Sequence, residues 1–563
     1  MSLQSAPSPV GEGVVVIETT APLSPPLAER ASAGSGLDVG GLPVDGHVDD
    51  HVDDHVDDHV DDHVDDRPDS SLEKLLERQA GRSERAGFLE QFLAAHDQAA
   101  ALRLWLGAAE SLSPEDLSHR LNRDISSIDE ILNRQLNAVM HQPRFQKLEA
   151  AWRGLLTLVE AADEEQAETR IGVRVLTATW QEVGRDFERA PEFDQSRLFQ
   201  KIYEAEFGTP GGKPYGLLIG DYEIGLGQSN ACPITDLDCL RSMSQVAAAA
   251  FCPFVTAANP NLLELDQFSE LERSLDFERT FDQPKYIPWR TRRGEPDSRF
   301  VGLVLPHILM RPPYGDTGSR VDGFRFSEEV NGPDQSKYLW GNAAYAFGVT
   351  AIRAFGQTGW FSDICGVRRG EDGGGLVTRF TPDSFRTDRP GVAPKSLTEV
   401  VVTDQQEKEL AELGFIPLCQ CHDSEFAAFY SSRSLQKPTK YDRPEATANS
   451  QLSAMLNYVL CASQFSRYLK VMIRDKVGAF IEPVDLENYL NKWLHDYVTS
   501  DDDASTEVKS RYPLREAKVE VRNDPGRPGN YLATIHLRPH FQFDQLSASL
   551  KFDKVELAPA RGS

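Results

Sequence analysis

The sequence predicts an α+β chain, and three observations carry that reading. Apolar residues at helical spacing run on both sides of Pro143. Short apolar runs of strand character alternate with helices and loops between Ile171 and Leu418. A strand-rich tail follows a long stretch that is apolar on most of its faces.

Taken in order, residues 1–70 are rich in Pro, Gly, Ser, Ala and Asp and cannot bury enough apolar surface to offset chain entropy, so they read as a disordered acidic extension. Inside it, His47–Asp66 repeats HVDD five times. In a helix the histidines would share one flank and could hold a divalent metal, but the aspartates repel one another and Val and Asp are poor helix formers. An expanded tandem repeat is the expectation.

An N-terminal helical segment, 71–124, opens at Ser70-Ser71 with Leu72, Leu75 and Leu76, and continues through Phe88–Leu106. The body is expected over 125–480. Ile128, Ile131, Leu132, Leu136 and Val139 trace one helix face, and Phe145, Leu148, Trp152, Leu155 and Val159 trace another after Pro143, a helical hairpin. Strands are expected at Ile171–Leu176, Gly216–Ile219, Phe300–Leu305, Glu399–Thr403 and Phe415–Leu418, with one long helix over Thr447–Phe480. Residues 481–563 supply a helix carrying Leu486, Leu490, Trp493 and Leu494. Strands follow at Ala517–Val521, Tyr531–Leu537 and Ser547–Val555, the first two joined by the Pro525–Pro528 turn.

Composition excludes several functions. The net charge is −28, and residues 1–66 hold fifteen acidic groups against one arginine, with no basic stripe, so nucleic acid is not an expected partner. No run approaches the roughly 18 apolar residues that span a bilayer, and membrane insertion is not expected. The start of the chain has no basic stretch before Val14–Ile17, and seven sparse cysteines fit a reducing compartment, so a cytoplasmic location is expected.

The candidate chemical sites are thin. Gly211-Gly212-Lys213 suggests a phosphate loop, but Pro214 stands where a Walker loop needs Ser or Thr, and the glycines precede a strand instead of joining strand to helix. Cys419-x-Cys421-His422 is half a zinc site without its second knuckle. Asp221 and Glu223 could pair for acid–base work, yet no nucleophile or metal set assembles around them. Gly373-Gly374-Gly375 lacks the strand–helix context of a cofactor loop. The guanidiniums of Trp289-Arg290-Thr291-Arg292-Arg293, with Asp297 and Arg299, suit ion pairing better than nucleic acid. No catalytic residue, metal site or cofactor is expected, and the chain is not read as an enzyme.

One stretch is distinctive: FDQSRLFQKIYEAEFGTPGGKPYGLLIGDY, Phe193–Tyr222. It resembles, almost residue for residue, the large sheath subunit of the type VI secretion apparatus (TssC/VipB/EvpB family). The resemblance extends from Ile125 to Leu557 through ISSIDEILNRQLNAVMHQPRFQKLEAAWRGL, RRGEPDSRFVGLVLPHILMRPPYG, YLWGNAAYAF, TEVVVTDQQEKELAELGFIPL, YLKVMIRDKVGAF and YPLREAKVEVRNDPGRPGNYLATIHLRPHFQFDQL. The chain departs from the family's usual residues at His307, Cys365, Phe251-Cys252 and Ser466-Arg467.

The resemblance implies a structural subunit that pairs with a small sheath subunit (TssB/VipA-type) and with copies of itself around an Hcp tube, joins a baseplate, and contracts to drive tube and spike outward. It implies C-terminal strands exchanged between neighbours, placed here on Val519, Val521, Tyr531, Ile535 and Leu537. It also implies a short helix recognised by a ClpV-type AAA+ unfoldase, for which Leu72, Leu75 and Leu76 are the candidates; the same spacing serves either a groove of the unfoldase or packing on the body. The alternatives are a sheath protein of another phage-like contractile particle, a paralogue that no longer polymerises, and an enzyme of unknown class.

Overall fold

The computed structural model describes residues 13–19, 91–106, 113–165, 171–209, 211–227, 234–273, 275–315, 323–330, 335–367, 373–385, 392, 394–422, 424–476, 482–501, 504–523, 531–540 and 550–557. The HVDD tract, Leu72, Leu75, Leu76 and the Pro525–Pro528 turn lie outside the described residues. The chain divides into two compact units. One comprises Met1–Pro25, Met140–Pro313 and Glu329–Ser563; the other comprises Pro26–Val139 and Tyr314–Glu328.

The smaller unit is helical. Helix α1 spans Gln98–Leu106 and α2 spans Pro114–Met140, with Ser113 accepting from the Asp116 amide as its cap. The Trp105 indole donates to Asp124 at 2.9 Å, and Asn133 and Asn137 hold the backbone of Arg325 and Ser327. Of the stripe expected to pack, Ile131 is buried while Leu132, Leu136 and Val139 are exposed.

The larger unit is built on a mixed sheet whose strands lie in the order β2-β1-β3-β4-β5-β9-β10-β8. These are β1 Gly13–Thr19, β2 Ile171–Thr177, β3 Tyr215–Ile224, β4 Phe254–Ala258, β5 Val301–Leu305, β8 Leu376–Val377, β9 Phe415–Gln420 and β10 Ala427–Phe429. The ribbon β6 Ile308–Leu309 with β7 Trp340–Gly341 stands apart. The four strands β3, β4, β5 and β9 are parallel, whereas β1 is antiparallel to both its neighbours.

Alternation along the strands feeds two cores. Val14, Val16 and Leu218 enter the one beneath α4 (Trp180–Arg189) and α5 (Asp236–Ala249), while Val15, Ile17, Leu217 and Ile219 enter the other. That second face is covered by α3 (Pro143–Glu164) and α6 (Ala344–Thr358). The two helices approach through glycine: a β-carbon on Gly154 would lie 2.5 Å from the Tyr345 ring.

Beyond the sheet, α7 (Asp404–Glu412) precedes β9. Then come α8 (Pro444–Ser453), α9 (Leu456–Lys476) and α10 (Pro483–His495), and a second sheet in which β12 (Tyr531–Pro539) lies between β11 (Leu514–Asn523) and β13 (Leu550–Leu557). A third core joins α9, α10 and this sheet, with Trp360 stacked on Phe465 at 4.0 Å.

Three expectations change. Within the extension expected to be without structure, Gly13–Thr19 is a strand paired on both sides. The strand expected at Glu399–Thr403 is irregular chain, because Thr403 instead caps α7 in a capping box with Gln406. The single helix expected over Thr447–Phe480 breaks at Ala454-Met455, where the chain bridges to Arg433.

Candidate functional site: a basic clamp on the signature stretch

The stretch Phe193–Tyr222 is where the structure concentrates its polar contacts. Ser196 caps its helix by accepting from the Phe199 amide at 3.1 Å. The helix runs through Arg197–Phe199, a π turn at Gln200–Glu204, and Ala205–Phe207. Such an end leaves carbonyls without intrahelical partners.

They are met by α9. Arg474 donates to the carbonyls of Glu206 at 2.9 Å and Thr209 at 3.2 Å, and lies within 3.4 Å of that of Phe207. Arg467, buried, donates to the Tyr215 carbonyl at 2.5 Å, at the start of β3. Lys470 lies between them in sequence and donates to the Tyr203 hydroxyl at 2.5 Å. Its amine also sits over the rings of Tyr203, Phe207 and Phe251 at 4.5, 4.9 and 5.7 Å. Burial among these rings pushes the Lys470 amine down to about 8. Positions 467, 470 and 474 share one helix face, so three cations grip one segment.

The turn itself folds around Glu206. One carboxylate oxygen accepts from the Lys213 amide at 2.8 Å; the other accepts from Arg174 at 3.0 Å and from the Tyr215 hydroxyl at 3.2 Å. Gly211 has φ +81°, and a β-carbon on Gly212 would fall 2.2 Å from the Glu206 carbonyl oxygen, so both positions require glycine. The glycines therefore shape a turn whose amide faces the chain's own carboxylate.

The far end of the stretch is anchored separately. The β3–β4 register shifts between Ile219 and Glu223, and Thr256 and Asn342 donate to the carbonyls of Gly220 and Tyr222 at 2.7–3.2 Å. Asn342 comes from the YLWGNAAYAF block, so blocks distant in sequence meet on this one segment.

The other candidates resolve into structural networks. Asp221 acts on the Tyr345 hydroxyl, which burial and that carboxylate push up. Glu223 lies 3.3 Å from His307 Nε2 and accepts from Asn259 at 2.9 Å, while His307 Nδ1 lies 2.7 Å from Glu399. Burial disfavours the imidazolium, but the two carboxylates outweigh it and raise His307 to about 10. Arg311 holds Glu149 through two bonds of 2.7 and 3.2 Å, and Arg153 shares the carboxylate at 2.8 Å. In the basic stretch, Arg292 pairs with Asp238 and Glu295, and Arg293 donates to the Leu435 and Glu412 carbonyls.

Cys419 is buried and its thiol is pushed up to about 12 by burial and nearby carboxylates, while Cys421 lies 3.8 Å from the Tyr430 hydroxyl. No group of three metal-binding side chains occurs among the described residues. No helix among them is long and apolar enough to cross a membrane.

The residues expected to form an exchanged arm sit in the chain's own second sheet. Val519 pairs with Ile535 and Val521 with Ala533; Tyr531 pairs with Asn523, and Leu537 with Ala517. The outer edge of β11 is occupied: Asn491 accepts from the Val519 amide at 2.8 Å and donates to its carbonyl at 2.9 Å, and Glu487 accepts from the Val521 amide at 2.9 Å.

Two family models match the chain. One, described as EvpB/VC_A0108, tail sheath N-terminal domain, covers residues 122–436; the other, the EvpB/VC_A0108 tail sheath gpW/gp25-like domain, covers 445–555. The chain belongs to the VipB/EvpB tail sheath family. It is 39% identical over 444 residues to the type VI secretion system sheath protein TssC1 of Pseudomonas aeruginosa, a match covering 78% of this chain and 86% of that protein. A solved sheath tail protein from Desulfitobacterium hafniense aligns at 9% identity and a TM-score of 0.27, covering 59% of this chain and 56% of that one. In VipB/EvpB terms the clamp has a definite place. The signature stretch belongs to the N-terminal sheath domain, and Arg467, Lys470 and Arg474 belong to the gpW/gp25-like domain.

Sequence reasoning missed the clamp. Its signal was present as three cations at i, i+3 and i+7 on a helix apolar on most of its faces, where charge needs a partner. The receiving groups are backbone carbonyls, which no residue type announces.

Proposed function

We propose that the chain is the large structural subunit of a type VI secretion contractile sheath. It assembles with a small sheath subunit (TssB/VipA-type) and with copies of itself around an Hcp tube, on a baseplate in the cytoplasm, and contracts to drive tube and spike outward. The observation that carries this reading is the similarity to TssC1, a protein named as a sheath component, over 78% of this chain. The geometry supports a part that works by repacking: Arg467 and Arg474 hold backbone carbonyls across the two family-matched spans, and His307 is held by Glu399 and Glu223.

Strand exchange belongs to the second sheet. Because Asn491 and Glu487 occupy the β11 edge, an incoming strand adds beside β13. We assign to Leu72, Leu75 and Leu76 the contact with a ClpV-type unfoldase. The chain acts without catalysis of its own.

Co-expression with the small subunit followed by electron microscopy tests the reading. Tubules of uniform width are expected; monodisperse oligomers would overturn it. Replacing Leu72, Leu75 and Leu76 with Asp should abolish unfoldase pull-down while tubules persist.

A further inference from the structure

We propose that α8 and α9 are two arms of one interrupted helix, which closes into a continuous rod when the segment wedged at its break withdraws. The proposal rests on the sheath reading above and gives that sheath's change of packing a particular place in the chain.

The break is not written into the local sequence. After the opening Pro444, the chain to Lys476 holds neither proline nor glycine, and Gln451, Leu452, Ala454, Met455 and Leu456 include strong helix formers. What interrupts them comes from elsewhere. Ser432–Ser434 crosses the gap as an antiparallel bridge centred on Arg433 and Met455. Ser434 donates to the Ala454 carbonyl from its amide at 2.9 Å and from its hydroxyl at 2.7 Å, and the Leu456 amide donates to the Ser432 carbonyl at 2.6 Å. The backbone groups on the helix side have partners waiting in an unbroken helix. There the Ala454 carbonyl accepts from the Tyr458 amide, and the Leu456 amide donates to the Leu452 carbonyl. The exchange leaves the backbone bonds of the gap nearly balanced, which is the condition for two packings of one sequence to lie close in free energy.

The two arms are held very differently. In α9 every residue from Leu456 to Leu469 is buried, and the basic clamp fixes its far half. In α8 only Ala448 and Leu452 are buried. Its other ties are exposed bonds to the segment before it: the Thr439 amide donates to Ser450 at 2.8 Å, and the Tyr441 amide to Thr447 at 2.9 Å. The arm that moves is therefore α8.

The wedge itself belongs to the other family domain. Ser432–Ser434 lie in the matched span 122–436, whereas Ala454–Leu456 lie in 445–555. The wedge is tied to the main sheet, since the Leu435 amide donates to the Val301 carbonyl of β5 at 2.9 Å and Arg293 donates to the Leu435 carbonyl at 3.0 Å. Drawing α8 into line with α9 thus exchanges a contact between domains for helix within one domain, so load between the domains sets the helix.

The bridge supplies the test. Arg433 and Met455 face each other with the hydrogen bonds carried by their neighbours, a pairing that sets Cα atoms about 4.5 Å apart, within reach of a disulfide. Sheaths assembled from the chain with Arg433→Cys and Met455→Cys and the small subunit should, once oxidised, fail to contract, and dithiothreitol should restore contraction. Spin labels at Glu445→Cys and Asp475→Cys, both exposed positions, on a background cleared of exposed native cysteines, report the helix itself. A continuous helix places them about 45 Å apart. That distance is expected in one sheath state and a different one in the other. Should the R433C/M455C chain fail to fold, Ser434→Ala removes one of the two bonds to Ala454 and should shift the label distances toward the continuous value. One distance in both states, with oxidised sheaths contracting as freely as reduced ones, would overturn the switch and leave the assembly reading intact. Failure of the unsubstituted chain to form tubules would sink both.

Discussion

Arg474 caps the helix that ends at Phe207: its guanidinium donates to the Glu206 carbonyl at 2.9 Å across 268 positions of sequence. A helix terminus that would otherwise turn to water is closed by a cation from another family domain.

Arg474→Ala should therefore destabilise the larger unit by roughly 2–3 kcal/mol, since charge-assisted bonds are lost and carbonyls are left without them. Arg474→Lys should recover only part, because a point charge cannot reach several carbonyls as a planar fork does. Urea denaturation of the two variants beside the parent checks this; equal stability of all three would remove the capping role.

Lys470 gives a pH signature. Its folded pKa, lowered from 10.5 to about 8, means that the fold prefers the neutral amine. Between about pH 8 and 10.5 the unfolded chain binds the proton and the folded chain does not, so this group's contribution rises with pH across that window and is unfavourable below it. Lys470→Met should flatten the rise, an effect of order 2–3 kcal/mol. A stability profile from pH 7 to 10 shows it as converging curves.

His307 has the opposite sign. Its folded pKa is raised from 6.5 to about 10, so its stabilising contribution is complete below about pH 6.5 and is lost as pH rises through 10. His307→Gln should cost roughly 3 kcal/mol near pH 6, because Glu399 and Glu223 lose their shared cation. Measured by denaturation, the gap to the parent should close on approach to pH 10. A gap independent of pH would mean that the imidazolium is not what matters.

Gly348 faces Ile219 so closely that an added β-carbon would meet its Cδ1 at 2.2 Å. Gly348→Ala should cost about 1–3 kcal/mol through overpacking. Ile219→Val removes the opposing methyl and should rescue it, so the double variant should be more stable than the sum of the singles. Additive losses would argue against this contact.

Asn491→Leu should bare the Val519 amide and carbonyl on the β11 edge. An uncovered edge pairs with other chains, so a concentration-dependent rise in apparent mass by light scattering is expected. A variant that stays at the parent's mass would mean that Asn491 does not guard the edge.

Much of this architecture is legible in the sequence because it follows local rules. Pro143 opens α3 behind the Gln142 cap, and the apolar face of α9 declares its burial. Thr403 and Gln406 spell a capping box that competes with the alternating pattern of Glu399–Thr403, and the box prevails because it satisfies helix amides locally. The strand β1 is hidden because its ladder partners lie more than 150 positions away, and a short valine run among Pro, Gly and acidic residues carries no sign of them. The break at Ala454-Met455 has no Pro or Gly to mark it; it is set by the bridge to Arg433 and the bonds to Ser432 and Ser434.

The placement of Arg467, Lys470 and Arg474 has a mechanical corollary. Seven residues of helix put the outer two grips about 10 Å apart along one axis. A pull parallel to α9 loads all three in shear at once, whereas a pull across one end peels them one at a time. The same three contacts thus make a joint that is stiff in one direction and yielding in another.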